Sequence, residues 1–193
     1  MNRHHGGLSF ALLCAVSSVS STAEAARGLE ARDLVTLDRY SAPTLSPNGR
    51  MLVFAKRSVD FAANKSATSL WIENLSARDA APPKRLTPEG WNVNSPAFSP
   101  DGSTVYFLSA KSGSQQLYAL PAAGGTPKLL TELPVDVGGY KLSPDGKRVA
   151  LTLEAFADCR SDLTCTRKRL DDTAARKSSG VLHDKIFVRH WDT

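Results

Sequence analysis

The chain has no apolar run long enough to cross a bilayer, which takes about 20 residues. The run "LSFALLCAVSSV" at residues 8–19 is too short. Arg3 precedes it, and Ala23-Glu24-Ala25 follows it as an A-x-A cleavage site. This order predicts a secretory signal peptide over residues 1–25, cleaved after Ala25 or Ala26, and a secreted or periplasmic protein.

Cysteine is also scarce, with three in 193 residues. Cys14 could indicate a lipoprotein, but Leu13 directly before it is a poor lipobox residue, so we assign Cys14 to the signal peptide. The remaining pair, Cys159 and Cys165 in "CRSDLTC", predicts a disulfide in an exported chain. A metal site is the weaker interpretation, because no other cysteine and no histidine cluster lies nearby.

Neither sign of charge dominates, because the sequence has 24 basic and 19 acidic residues. The densest basic cluster, residues 167–169, is followed at once by Asp171 and Asp172, and aromatic residues are not interleaved with it. That pattern is typical of a solvated surface and argues against nucleic acid as a partner. We also expect no membrane association once the signal peptide is removed.

What the chain does contain is one phrase that occurs three times. An apolar residue precedes a Ser-Pro-Asx-Gly tetrapeptide, and a polar pair and alternating apolar residues follow it. Proline at the second position and glycine at the fourth favour a type I turn between two strands. The residues predicted to form these structural turns are Ser46, Pro47, Asn48 and Gly49; Ser99, Pro100, Asp101 and Gly102; and Ser143, Pro144, Asp145 and Gly146.

The spacing of the repeat predicts the fold. Ser46, Ser99 and Ser143 are 53 and then 44 residues apart, and further strand-like segments follow the first two copies. Four strands in each period of about 40–50 residues indicate the blades of an all-β propeller. We predict a signal peptide at 1–25, a leading segment at 26–42 with a short helix over Glu30–Arg39, and an incomplete propeller at 43–193. The blades should start near 43, 96 and 140.

The length of the chain suggests that it is part of a longer protein. Propellers close with about 4–8 blades, and this chain has residues for about three and a fraction. The last residues, "LHDKIFVRHWDT", include a further expected strand over residues 185–190. We therefore expect an incomplete propeller rather than a closed ring.

These segments resemble a known family. The Ser-Pro-Asp-Gly phrase with "LYALPAAGGTPKLLT" at 117–131 is similar to the propeller repeats of secreted prolyl oligopeptidase-family serine peptidases, such as dipeptidyl aminopeptidases and acylaminoacyl peptidases, and of TolB-type periplasmic propellers. The beginning "LEARDLVTLDRYSAPTLSPNGR" at 29–50 and the tail "DKIFVRHWDT" at 184–193 favour the peptidases. TolB-type proteins place an α/β domain before the propeller, and here the first repeat follows the expected cleavage site too closely.

The resemblance implies a propeller that restricts access to short peptides, with a missing C-terminal α/β-hydrolase domain as its partner. That domain would supply a Ser-Asp-His triad with its serine on a Gly-x-Ser-x-Gly elbow. No such elbow occurs in these 193 residues, and His183 next to Asp184 would point away from it on a strand. We therefore predict no catalytic residue, no cofactor and no metal ligand here.

Residues 155–180 break the rhythm of the repeat and carry both remaining cysteines. A disulfide-tied loop facing solvent is the plainest interpretation, and the hypothesis beside it is that this insertion lines the substrate entrance. Two other functions stay open. One is a non-enzymatic TolB-like propeller that binds a protein partner, and the other is a propeller enzyme whose own loops bind a metal or sugar.

Overall fold

The structure, a computed structural model, describes residues 27–76, 81–178 and 180. The expected signal peptide, the strand expected at 185–190 and the two histidines at 183 and 190 lie outside these residues. None of the described helices combines the length and the apolar character that crossing a membrane requires.

Three antiparallel sheets follow a short helix, α1, at Ala31–Thr36. The first sheet contains β1 (Arg39–Leu45), β2 (Met51–Asp60), β3 (Lys65–Asn74) and β4 (Lys84–Arg85). The second contains β5 (Val93–Phe98), β6 (Thr104–Ser109), β7 (Gln116–Pro121) and β8 (Lys128–Leu129). The third contains β9 (Val137–Leu142) and β10 (Val149–Leu153), and helix α2 (Leu163–Ala174) comes after it.

The predicted partial β-propeller is confirmed. The strand order is β1-β2-β3-β4 in the first sheet and β5-β6-β7-β8 in the second, so the strands follow each other in chain order. This is the four-stranded meander of a propeller blade. We call them blade 1 and blade 2, and the pair β9–β10 blade 3. Within the described residues, the third repeat therefore supplies half a blade.

The helix before the repeats is shorter than predicted, because the last residue expected in it belongs to the first strand. Arg39, expected as the last helical residue, is paired with Arg57 in the β1–β2 ladder. The helix begins after Glu30, whose amide donates to the Asp33 carboxylate at 2.9 Å and whose carbonyl accepts from the Asp33 amide at 3.0 Å. Leu34 and Leu37 remain more than half exposed.

Blades 1 and 2 share one apolar core. The side of blade 1 that faces blade 2 contributes Val53, Ala55, Leu70 and Ile72. The facing side of blade 2 contributes Val105, Phe107, Tyr118 and Leu120. The rings of Phe107 and Tyr118 stack with centroids 5.7 Å apart. All eight side chains are buried, so this interface is packed like the interior of a domain.

Blade 2 uses its opposite side against blade 3. Leu108 and Leu117 form a second cluster with Val137, and Leu151 and Leu153 of β10 pack on it. β6 thus buries apolar residues on both faces, as its sequence predicts for a strand covered from two sides.

The connections alternate between two edges of the blades. The three Ser-Pro-Asx-Gly turns all join the first strand of a blade to the second, so they lie on one edge, which we call the turn face. α1, the loops at 61–64 and 110–115, and the segment after β10 lie at the other ends of these strands. We call that opposite edge the insertion face.

Candidate functional site

The first strands of the blades lie next to each other along the inner side of the arc. β5 contacts β1, β2 and β3 of the preceding blade, whereas β4 contacts its own neighbour β3. Thr44 Oγ1 donates to the carbonyl of Pro96 at 3.1 Å. In the same way, the Tyr140 hydroxyl donates to the carbonyl of Ser95 at 2.8 Å. Burial raises the pKa of the Tyr140 phenol, which keeps it protonated as a donor.

Two of these first strands carry a bulge at the same place. The register shifts between Ser41 and Thr44 in β1, and between Asn94 and Ala97 in β5. Ala42 and Ser95 have φ angles of 50° and 52°, in the left-handed region that costs a non-glycine residue about 1 kcal/mol. At both bulges a proline follows the left-handed residue, and the inter-blade hydrogen bonds described above lie beside them.

A cavity of about 510 Å³ lies between the first strands and the turns. Its lining includes the prolines of the three turns and Pro96 of the second bulge, together with Tyr140 and Lys141. Ser99 and Ser143 also line it, but their hydroxyls are bonded within their own turns. The described ranges contain no histidine, so no described residue supplies an imidazole base to these serines. Ser95 lines the cavity as well, and its hydroxyl donates to Asn94 Oδ1 at 3.0 Å.

The predicted turn residues form the same hydrogen-bonded unit three times. In each, the glycine N–H donates to the serine carbonyl, at 2.8 Å for Gly49 and 2.9 Å for Gly102 and Gly146. The serine hydroxyl donates to the Asx side chain. The backbone amide five residues after the serine then donates to that hydroxyl. The three glycines have φ angles of 68°, 73° and 67°. The serine, Asx and glycine residues of the three turns are therefore hydrogen-bonded within the turns.

Electrostatics follow from the same bonds. The Ser99 hydroxyl, together with the amide and hydroxyl of Ser103, lowers the pKa of Asp101 to about 2. The pKa of Asp145 is lowered by its bonds to Ser143 and to the amide of Lys147. Both carboxylates are therefore charged at neutral pH and act as acceptors for the turn.

The turns of successive blades also touch. A Cβ atom added to Gly102 would lie 3.4 Å from Cδ of Pro47, and one added to Gly146 would lie 3.2 Å from Cδ of Pro100. The turn prolines of blades 1 and 2 thus pack on the turn glycines of blades 2 and 3. The turn motif serves the spacing of the blades as well as the hairpin itself.

The insertion after β10 forms a small folded unit. Cys159 and Cys165 are joined by a disulfide, with Cα atoms 5.6 Å apart. Asp162 caps α2 by accepting from the amides of Thr164 and Cys165, at 2.9 and 3.0 Å. The Arg169 guanidinium bonds Asp158 and lies over the Phe156 ring, 4.3 Å from its centroid.

A helix in this segment was not predicted, since only a disulfide-tied loop was expected. Signals for it exist in the sequence. Asp162 stands at an N-cap position, and Arg167 and Lys168 form i,i+4 ion pairs with Asp171 and Asp172. Two members of the basic cluster are thus paired within α2, and the third, Arg169, pairs with Asp158 before the helix.

Sequence reasoning also missed Gln116, which is 2% exposed. Its Nε2 donates to Ser114 Oγ and to the carbonyls of Leu133 and Val135, at 2.9, 3.1 and 3.2 Å. Its Oε1 accepts from Thr131 Oγ1 at 2.8 Å and from the amide of Leu133 at 3.0 Å. Gln116 therefore fixes the loop that leads from blade 2 into blade 3. A glutamine at the start of a strand carries no signal for such a role.

Comparison with known proteins gives a consistent result. The family model of the dipeptidyl peptidase IV N-terminal region matches residues 69–158. Dipeptidyl-peptidase 5 of Porphyromonas endodontalis is 28% identical over 159 residues, and that of Porphyromonas gingivalis is 29% identical over the same length. Each alignment covers 82% of this chain and 22% of the relative, so this chain spans about a fifth of the length of those proteins.

Among solved structures, an acylaminoacyl peptidase of Pyrococcus horikoshii superposes with a TM-score of 0.49 at 17% identity, over 61% of this chain and 17% of that one. That likeness is too weak to bear on function. The family match and the two relatives confirm the expected resemblance to the N-terminal propeller part of prolyl oligopeptidase-family peptidases.

Proposed function

We propose that this chain is the propeller portion of a secreted serine peptidase of the prolyl oligopeptidase family that acts on short peptides. The observation that carries the proposal is the match of the dipeptidyl peptidase IV N-terminal region over residues 69–158. The matched stretch begins in β3 and ends just after β10, so it includes the whole of blade 2. The match therefore extends over strands of all three blades rather than over an isolated motif.

The propeller contributes access control rather than chemistry. A ring of blades around a central passage excludes folded proteins and admits extended peptides. The described part of the chain supports this role through its rigid first strands, which are tied across the blades by Thr44 and Tyr140. The nucleophile, the base and the oxyanion donors would come from an α/β-hydrolase domain outside these residues.

The experiment compares the complete gene product with the 193-residue chain on dipeptidyl p-nitroanilides, with an intact folded protein as a second substrate. We expect the complete protein to release dipeptides, to lose that activity after treatment with a serine-directed phosphonate, and to leave the folded protein uncleaved. The 193-residue chain should be inactive. A complete protein that lacks any peptidase activity would contradict the proposal and favour a binding propeller.

A finer proposal concerns the insertion, which we place at the substrate entrance. Its position on the insertion face, directly after β10, supports this assignment. In the complete protein, deletion of residues 156–178 should change the preference among dipeptidyl substrates. Unchanged kcat/KM ratios across a substrate panel would rule out a role for the insertion in specificity.

A further inference from the structure

The outer edge of β10 is open in the described part of the chain. β10 pairs with β9 alone, whereas its counterparts β2 and β6 are each central strands with a neighbour on both sides. Val149 near the start of β10 is 41% exposed, while Val105 at the same place in β6 is fully buried. An unpaired edge that carries apolar side chains is a template for another strand.

Blades 1 and 2 show which kind of strand fits this edge. Their third strands contain an apolar–aromatic–apolar triplet, Leu70-Trp71-Ile72 in β3 and Leu117-Tyr118-Ala119 in β7. In both, the aromatic residue lies directly opposite a phenylalanine of the second strand: Trp71 opposite Phe54 and Tyr118 opposite Phe107. Counted from the turn serine, the residue equivalent to these phenylalanines in β10 is Leu151.

A triplet of the same kind occurs as Ile186-Phe187-Val188, in the part of the chain outside the described residues. We propose that the open edge of β10 is the docking site of residues 185–190 of this same chain. The segment pairs antiparallel with β10, with Phe187 opposite Leu151. The insertion with its disulfide and α2 then lies inside blade 3, between the second and third strands, rather than after it.

The geometry allows this connection. β10 ends at the insertion face, where the third strand of an antiparallel blade must begin. α2 is 12 residues long, which is about 18 Å of helix. The ten residues between its end and residue 185 can span up to about 33 Å, which exceeds the length of α2. In this register Phe187 projects to the side where Leu151 packs on the second core cluster, and Ile186 and Val188 project to the other side.

Hydrogen exchange in the full 193-residue chain tests the docking. Amides of residues 149–153 should exchange as slowly as those of β6, the central strand that serves as internal reference, and residues 185–190 should also be protected. Phe187→Ser should speed exchange at 149–153 by about tenfold or more, because truncating a buried aromatic costs several kcal/mol. Trp191→Ser, just beyond the proposed strand, is the matched control and should leave that exchange unchanged.

Two exchange results would overturn the proposal: rapid exchange at 185–190 beside a protected β6, or equal effects of the two serine variants.

Disulfide trapping then tests the register in a Cys14→Ser background. Thr152→Cys with Ile186→Cys, which lie opposite each other, should form a crosslink within one chain. Thr152→Cys with Phe187→Cys should not, because neighbouring residues point to opposite faces. A crosslink between two chains would assign the edge to a second copy and reject the intramolecular strand.

Discussion

Replacement of Gln116 by methionine is the sharpest test of how blade 2 is joined to blade 3. Methionine keeps the length and volume of the side chain but removes its amide, so the change isolates the hydrogen bonds. Five bonds disappear, and the carbonyl of Val135, which is 2% exposed, loses a partner in a site that water cannot easily reach. A buried group left unpaired costs about 1–3 kcal/mol.

Thr131 and Leu133 are half-buried and can recover some bonds from water, so we expect a total loss of about 3 kcal/mol in the free energy of unfolding. The assay is urea denaturation of the 193-residue chain followed by tryptophan fluorescence. With an m-value of about 2 kcal/mol/M, the midpoint should fall by about 1.5 M.

The adjacent Gln115 provides the matched control. Its half-buried side chain donates to the carbonyl of Val137 at 2.8 Å and accepts from Asn94 Nδ2 at 2.9 Å. Gln115→Met should therefore cost about 1 kcal/mol, because fewer bonds are lost and water can replace them. If Gln116→Met proves no more destabilising than Gln115→Met, the argument that Gln116 fixes the inter-blade loop is refuted.

Three further predictions concern the turns. Ser99→Ala should lower the free energy of unfolding by about 1–2 kcal/mol, and Ser143→Ala by less, because Ser99 is buried and Ser143 is half-buried; equal losses in urea melts would count against this. Gly49→Ala should cost about 1 kcal/mol for its left-handed backbone. Gly146→Ala should cost about 1 kcal/mol more, because a Cβ there meets Pro100 whereas nothing lies within 4 Å at Gly49; similar melting temperatures would exclude the turn-to-turn contact. The pKa of Asp101 is about 2 in the folded state against 3.8 ordinarily, so its stabilisation is present above pH 4 and is lost as the pH falls towards 2; a carboxyl carbon that titrates by NMR near 3.8 would contradict this.

The turn phrase allowed most of the fold to be predicted, because its chemistry is local. Proline and glycine set the backbone of each turn, and period-two alternation set the strands on either side. Asn48 shows why the phrase tolerates one exchange. Its Oδ1 accepts from the Ser46 hydroxyl and from the amide of Arg50, so an amide oxygen can accept the two bonds that a carboxylate accepts in the other turns.

The bulges in the first strands could not be predicted, because they depend on contacts between blades. Local rules push a residue before proline towards extended backbone, yet Ala42 and Ser95 take positive φ angles. Hydrogen bonds from Thr44 and Tyr140 to the neighbouring first strand lie beside these bulges. The donor and the acceptor of these two bonds are 52 and 45 residues apart in the chain, so no local sequence pattern predicts them.

α2 is a different case, since its signals are local and were outweighed by the cysteine pair. The cap at Asp162 and the i,i+4 pairs from Arg167 and Lys168 were readable, but hydrophobic periodicity was weak because the helix is almost wholly polar. Thr166 is the one residue of α2 that is buried. A helix with so small an apolar stripe escapes a search that relies on hydrophobic periodicity.

The measurement that tests the central claim most directly is the reading frame beyond Thr193, determined by sequencing the 3′ side of the gene in its source strain. Our account predicts further Ser-Pro-Asx-Gly blades, then a Gly-x-Ser-x-Gly elbow, and an aspartate and a histidine downstream of it. A frame that continues with blades alone and then stops, with no elbow, would contradict the peptidase assignment. The function would then have to be sought in binding.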